Sequence, residues 1–213
     1  MTRGQRDNSL WGIVRKGRLT ASNFGAVIRS INSGRQPAKS LLKTLLGEYN
    51  LSGLKAIQWG CTHESTATKA YAQHTGTMVT PSGIWLSETG CLGASPDGLV
   101  GSDKILEIKC PFSLRNESVF AKISDDKFFL GLDAEGACCL NQNSPSGFLY
   151  YHQVQGNLYL TGRRECDFCV WTPVDMVIVS VKQDTEWSVN ASKLEQFYAQ
   201  HYLPAFLAGG VTK

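Results

Sequence analysis

The chain has 213 residues, with 21 Lys and Arg against 18 Asp and Glu for a net charge of +3, and is 42% hydrophobic and 10% aromatic. A globular chain of this length buries about 70% of the surface it exposes when unfolded, so disorder is excluded as the default and no disulfide staples are needed. The charge allows a nucleic-acid partner without demanding one, and no apolar run approaches the ~20 residues of a membrane span.

One domain over residues 1–213 is expected, with residues 1–10, polar and charged, poorly ordered. Residues 11–22 lead into a short helix over 23–28 that Thr20 or Ser22 could cap. Arg15 and Ser22 could instead form an anion pocket, because a guanidinium presents a planar fork of donors and a helix N-terminus presents unpaired N–H groups. From spacing alone, capping is the simpler reading. Lys16 and Arg18 add positive potential without specific geometry.

Residues 30–39 read as a linker, and 40–50 as a helix whose Leu41, Leu42, Leu45, Leu46 and Tyr49 recur at helical spacing and are expected in the core. A connection over 51–55 leads to a second helix, 56–75, with Ala67, Ala70 and Tyr71 on one side and Gly76 closing it. Taken alone, His63 and Glu64 near its start read as surface or polar-core residues. Short strands are predicted at 77–80, 83–87 and 91–95, feeding a hairpin.

After that hairpin, 114–124 is mixed and 132–147 is the longest loop, with no role assigned. A helix over 148–161 is closed by Gly162; Gln153 and Gln155, two apart, point to different faces, so only one can reach a given site. Strands at 165–171 and 176–182 pair antiparallel around Pro173, with Val177, Val179 and Val181 on one face. The last helix, 189–207, is interrupted or kinked at Pro204.

Seven cysteines, an odd number, and no secretory signal point to free thiols in a reducing, intracellular compartment; whether nuclear or cytoplasmic depends on the host. The single CxxC, Cys166 to Cys169, falls on a predicted strand and reads as structural.

The stretch from Gly93 to Pro111 holds the chemistry. Asp97-Gly98 reads as a turn dipeptide, residues 101–104 as a second turn, and 105–109 as a strand. A period of two puts Glu107 and Lys109 on one face and Leu106 and Ile108 on the other. Two carboxylates can ligate a hard divalent cation such as Mg2+, and a lysine beside them can orient water or offset charge on a phosphate. Asp, a short hairpin, then Glu-x-Lys is similar to the PD-(D/E)xK nuclease signature. On this segment alone, a surface hairpin with a Glu/Lys pair is an equal alternative.

Read together, six segments resemble the lambda exonuclease family of phage and viral recombination nucleases, also called YqaJ-type. They are Trp11-x-x-x-Arg15, Thr20-Ala21-Ser22, Gly60-x-x-x-Glu64, Ser95-Pro96-Asp97-Gly98-Leu99, the run from Leu106 to Phe112, and Gln153-Val154-Gln155. The resemblance implies an α/β fold with a mixed central β-sheet flanked by helices, a restriction-endonuclease-like PD-(D/E)xK core. It implies that Asp97, Glu107 and the Ile108 carbonyl hold Mg2+, with Mn2+ as an alternative ion, while Glu64 joins directly or through water. Lys109 then positions or activates water and Gln153 helps orient it. Arg15 and Ser22, joined by Ser95, match a pocket for a terminal 5′-phosphate.

The expected activity is digestion of double-stranded DNA from 5′-phosphorylated ends, in recombination or repair. A partner protein of recombination or replication and a ring-like homo-oligomer are further implications. The rivals are an endonuclease or 3′-directed enzyme on the same core, a non-catalytic DNA-binding recombination module, and an iron–sulfur nuclease needing four clustered cysteines.

Overall fold

The computed structural model describes residues 2–5, 8–49 and 53–210. Its elements, in order, are α1 (Ser9–Arg15), β1 (Leu19–Thr20), α2 (Ala21–Asn32), α3 (Lys39–Leu45), α4 (Lys55–Thr75), β2 (Val79–Thr80), β3 (Trp85–Leu86), β4 (Leu92–Ala94), β5 (Gly98–Val100) and β6 (Lys104–Lys109). There follow β7 (Leu130–Leu132), β8 (Cys138–Leu140), α5 (Pro145–Thr161), β9 (Glu165–Trp171), β10 (Met176–Lys182), α6 (Val189–Phe197) and α7 (Leu203–Gly210).

The expected mixed sheet is a five-stranded one in the order β10-β9-β6-β5-β2. β6 and β9 run parallel, and the other pairs are antiparallel. A parallel pair needs a long crossover, and α5 lies within this one. Alternation along the strands then sorts the side chains. Ile105, Cys166, Phe168, Val170, Val177 and Val179 pack with Val154 and Leu158 of α5. Leu106, Ile108 and Cys169 pack with Ala67 and Tyr71 of α4 on the other face. Cys166 and Cys169 thus stand on opposite faces of one strand, both buried.

A second sheet, β1-β4-β3, packs with α2 and α6 around Leu19, Phe24, Val27, Ile28, Leu92 and Leu194. The strands predicted at 83–87 and 91–95 therefore belong to this sheet, and only the one near 77–80 joins the central sheet as β2.

What places α2 against α5 is the absence of two side chains. A Cβ on Gly156 would lie 2.4 Å from Phe24 Cδ2, and one on Gly25 2.7 Å from Leu149 Cα. Phe24 is fully buried and has no room to yield. Gly156→Ala is therefore expected to destabilise the protein by about 1–3 kcal/mol through overpacking, despite alanine's better helix propensity, which a thermal melt will show.

Several elements differ from the sequence expectation. α1 was not predicted, and the described residues among 1–10 are tied to the body: Ile84 N donates to Thr2 Oγ1 at 2.9 Å and Gln5 Nε2 to Pro96 O at 2.8 Å. Residues 1, 6 and 7 of that segment, and residues 51 and 52 of the 51–55 connection, lie outside the described residues. α3 stops at Leu45, ahead of Gly47 at φ 70°. Its predicted core contribution shrinks to Leu45, with Leu41, Leu42 and Leu46 half-buried and Tyr49 exposed.

The predicted 132–147 loop is the β7–β8 hairpin followed by the first turn of α5, where Ser144 Oγ accepts from Gly147 N at 3.0 Å and Pro145 follows the cap. The C-terminal helix absorbs Pro204, which cannot donate to a carbonyl one turn earlier, through a π-helical turn, Tyr198–Tyr202, just before it. His63 is stacked on Trp59, with ring centroids 3.7 Å apart.

Candidate active site

The site begins with β6. Its alternation puts Glu107 and Lys109 on the α5 face, where Glu107 is only 2% exposed. Burying a carboxylate is costly unless its lone pairs are met, and here they are. Glu107 Oε1 accepts from Lys109 Nζ at 2.7 Å and from Gln153 Nε2 at 2.6 Å, and Oε2 accepts from Asn157 Nδ2 at 2.9 Å. Lys109 Nζ also donates to Gln153 Oε1 at 3.2 Å, closing a ring of three side chains.

Gln153 is thus the glutamine that reaches the site. Gln155, on another face, is 1% exposed and bonds Lys182 O and Asp184 N at the end of β10. Neither is a solvated helix glutamine.

Asp97 sits at a bend where the chain passes from the small sheet into β5; the tight reversal comes later, at Gly101 with φ 55°. Its Oδ2 accepts from Ile108 N at 2.7 Å. Burial, then the charges of Glu107 and Glu64, push its carboxyl well above the usual carboxylate range, against the pull of Lys109 and the Ile108 N–H. Burial works against the Lys109 ammonium, but Glu107, Tyr150 and Asp97 outweigh it and raise its pKa above the ordinary lysine value. Lys109 is therefore a charged donor at neutral and alkaline pH.

Glu64 reaches this region from α4. Among the described residues, no three His, Cys, Asp or Glu side chains are close enough to cage a metal by themselves. The convergence expected from the sequence is thus looser than a three-carboxylate cage. It takes the form of two neighbouring carboxylates, Asp97 and Glu107, with Glu64 in the same cavity wall. An all-oxygen set of this kind suits a hard cation that keeps water and shares its sphere with a phosphate.

The other end of the cavity is cationic. Arg15 lies over the Trp11 ring, 4.3 Å from its centroid, and donates to Thr20 Oγ1 at 3.3 Å. Thr20 Oγ1 and Ser22 Oγ are 3.3 Å apart, and Trp11 Nε1 donates to Ser95 Oγ at 2.8 Å. Thr20 has N-cap backbone geometry but makes no side-chain cap bond, and Ser22 is already inside the first turn. Capping does not account for either hydroxyl.

One cavity of ≈ 250 Å³ gathers Arg15, Ser22, Glu64, Ser95, Asp97, Glu107, Ile108, Lys109 and Gln153, every site residue nominated from the sequence. Glu64 also lines two neighbouring cavities of ≈ 360 and ≈ 480 Å³, so it stands where three spaces adjoin.

Asn157, Trp11 and Gln5 line the first cavity and were given no role from the sequence. Asn157 had a signal, since it follows Gln153 by four residues and shares its helix face. Trp11 precedes Arg15 by four on α1 in the same way. Gln5 had none.

A family model described as the YqaJ-like viral recombinase domain matches residues 10–164. An alkaline nuclease of Orgyia pseudotsugata multicapsid polyhedrosis virus is 29% identical over 210 residues, covering 87% of this chain and 45% of the relative. The chain thus spans less than half the length of that relative.

Among solved structures, the alkaline exonuclease LHK-Exo of Laribacter hongkongensis is 26% identical with a TM-score of 0.59, covering 94% of this chain and 91% of the other. The same exonuclease in complex with dAMP matches at 25% identity and a TM-score of 0.60, with the same coverage. Among the described residues, no helix is long and apolar enough to cross a membrane.

Proposed function

The chain belongs to the YqaJ-like viral recombinase domain family, and from that premise we propose that it is a Mg2+-dependent nuclease that digests duplex DNA from 5′-phosphorylated ends. The observation that carries the proposal is the single cavity with carboxylates and a charged lysine at one end and an Arg, two Ser and a Trp at the other. The matches to an alkaline nuclease and to an alkaline exonuclease crystallised with dAMP, a nucleoside monophosphate, support the reading. On this reading the central sheet with Asp97, Glu107 and Lys109 is a PD-(D/E)xK core, and the chain acts as a single nuclease domain.

Asp97, Glu107 and the Ile108 carbonyl would hold the cation, with Glu64 joining directly or through water. When bound, Mg2+ supplies Lewis acidity toward a phosphoryl oxygen and stabilises charge in the transition state. The remaining work belongs to the protein's side chains. Water would attack phosphorus in line and lose a proton to solvent as its O–P bond forms, while the bond to the leaving 3′-oxygen breaks and that oxygen takes up a proton. Lys109 offsets the negative charge that develops there, because its ammonium stays protonated and is aimed by Glu107 and Gln153. Arg15, Ser22 and Ser95 hold the terminal phosphate and so fix which bond is presented.

Asn157 makes a further expectation. Its amide fixes Glu107 Oε2, and removing a partner that orients a metal ligand costs about 10–100-fold in metal affinity. Asn157→Ala should raise the Mg2+ concentration for half-maximal activity by about that factor, with the fold retained. An unchanged Mg2+ titration would refute the role.

The direct test of the function is a time course on duplex labelled at either end. Faster loss from 5′-phosphate than from 5′-hydroxyl ends, with closed circles intact, supports the reading. Cleavage of closed circles selects the endonuclease, and release beginning at 3′ ends selects the opposite polarity.

A further inference from the structure

The charge of this chain is divided unevenly. Residues 1–49 hold nine Lys and Arg against two Asp and Glu, whereas residues 50–213 hold twelve against sixteen. A net charge of +3 thus hides a basic N-terminal segment and an acidic remainder of the sequence. Such asymmetry points to a nucleic-acid partner more clearly than net charge does.

A second pocket, lined by none of the site carboxylates, joins Arg35 of that segment to Lys193 and His201 of the C-terminal part. A cavity of ≈ 210 Å³ lies between the C-terminal end of α2, the segment after it and the C-terminal helix. Arg35, Lys193 and His201 line it, Gln196 and Gln200 add amides, and no Asp or Glu is among its walls. Among the described residues, neither Arg35 nor Lys193 is in an ion pair. Gln200 and His201 lie on the π-helical turn before Pro204, and the His201 ring centroid lies 5.1 Å from that of Phe197.

α2 connects the two places. Ser22 near its start lines the catalytic cavity, and Ser30 lines this pocket. Eight residues of helix separate them, about 12 Å along the axis. Duplex DNA carries one charge per ≈ 1.7 Å of its axis, so a duplex whose end occupies the catalytic cavity has phosphates at that range.

We propose that the Arg35, Lys193 and His201 pocket is a second phosphate-binding site that grips the DNA backbone away from the cleaved end, independent of sequence. The proposal rests on the nuclease reading for its substrate. An acidic protein segment would meet the same cations, but the continuity along α2 with the catalytic cavity favours DNA.

The test is binding of a blunt 5′-phosphorylated duplex, by fluorescence anisotropy without divalent ion, from about 50 to about 200 mM salt. The Arg35→Glu, Lys193→Glu double variant and the milder Arg35→Gln, Lys193→Gln pair are compared with the parent, with a thermal melt to confirm folding. Each phosphate contact contributes roughly 0.9 to the log–log salt slope, so the slope should fall by about 2 in both variants, with weaker binding at every salt. If the parent cuts and binds DNA but the variants keep its slope, the pocket proposal alone is overturned, and binding of polyglutamate by the parent but not the variants would assign the pocket to an acidic protein. A parent that neither binds nor cuts DNA removes both readings.

Discussion

Asp97→Asn is expected to abolish hydrolysis and, in the same protein, to raise thermal stability. The loss follows from the chemistry. Asn is a neutral, weaker ligand, and metal stabilisation of a phosphoryl transition state is worth several kcal/mol, so a fall of at least about 10³-fold in kcat is expected. The gain follows from electrostatics. Asp97 is buried beside Glu107 and Glu64, which raise its carboxyl well above the usual range. A carboxyl that holds its proton more tightly when folded costs stability as pH rises, beginning near its unfolded value of about 3.9 and continuing up to its raised folded value.

Asn removes the charge and keeps an oxygen to accept from Ile108 N, which Ala would leave unpaired. The melting temperature of Asp97→Asn should therefore exceed that of the parent increasingly from pH 4 upward, until the carboxyl is fully ionised. Cation binding gives an independent readout. Mg2+ should raise the melting temperature of the parent more than that of the variant, because a ligand stabilises only the state that binds it. Equal Mg2+ shifts together with retained hydrolysis would remove Asp97 from the site.

Lys109 shifts stability in the same direction, but at higher pH. Its raised pKa means that its pairing with Glu107 contributes fully at and below the unfolded lysine value of about 10.4 and is lost as pH climbs through the folded one. On the proposed mechanism, the Lys109 charge facing the transition state therefore persists under alkaline conditions.

How much of this could be read from the sequence depends on the range of the interactions involved. β9 and β10 fall on the predicted boundaries, 165–171 and 176–182, because β-branched and aromatic runs bounded by turn residues are local signals. The parallel pairing of β6 with β9 is not local, since it joins residues about sixty apart in the chain through α5. The β7–β8 hairpin was missed because its strands are three residues long and carry glycine and cysteine in place of alternating apolar residues.

At the site, the alternation of β6 placed Glu107 and Lys109 correctly, and the helical offset of two separated Gln153 from Gln155. Glu64 could not be placed by any local rule. The path of α4 across the sheet decides where it lies, and only the family resemblance singled it out.

Arg15→Ala is expected to erase the preference for 5′-phosphorylated over 5′-hydroxyl ends while leaving the carboxylate cluster intact. Hydrogen bonds to charged groups contribute about 1.5–3 kcal/mol, so the discrimination should fall by about 10- to 100-fold, on kcat/KM for phosphorylated ends only. Arg15→Lys should recover little of it. A lysine restores the charge but not the planar fork, and the guanidinium here also lies over the Trp11 ring, 4.3 Å from its centroid, a contact that an ammonium meets less well. Trp11 in turn orders Ser95, so Trp11→Phe, which keeps the ring but drops the Nε1 donor to Ser95 Oγ, should weaken the same preference to a smaller degree. If Arg15→Ala lowers hydrolysis equally at both kinds of end, Arg15 supports the fold of this region and does not recognise the phosphate.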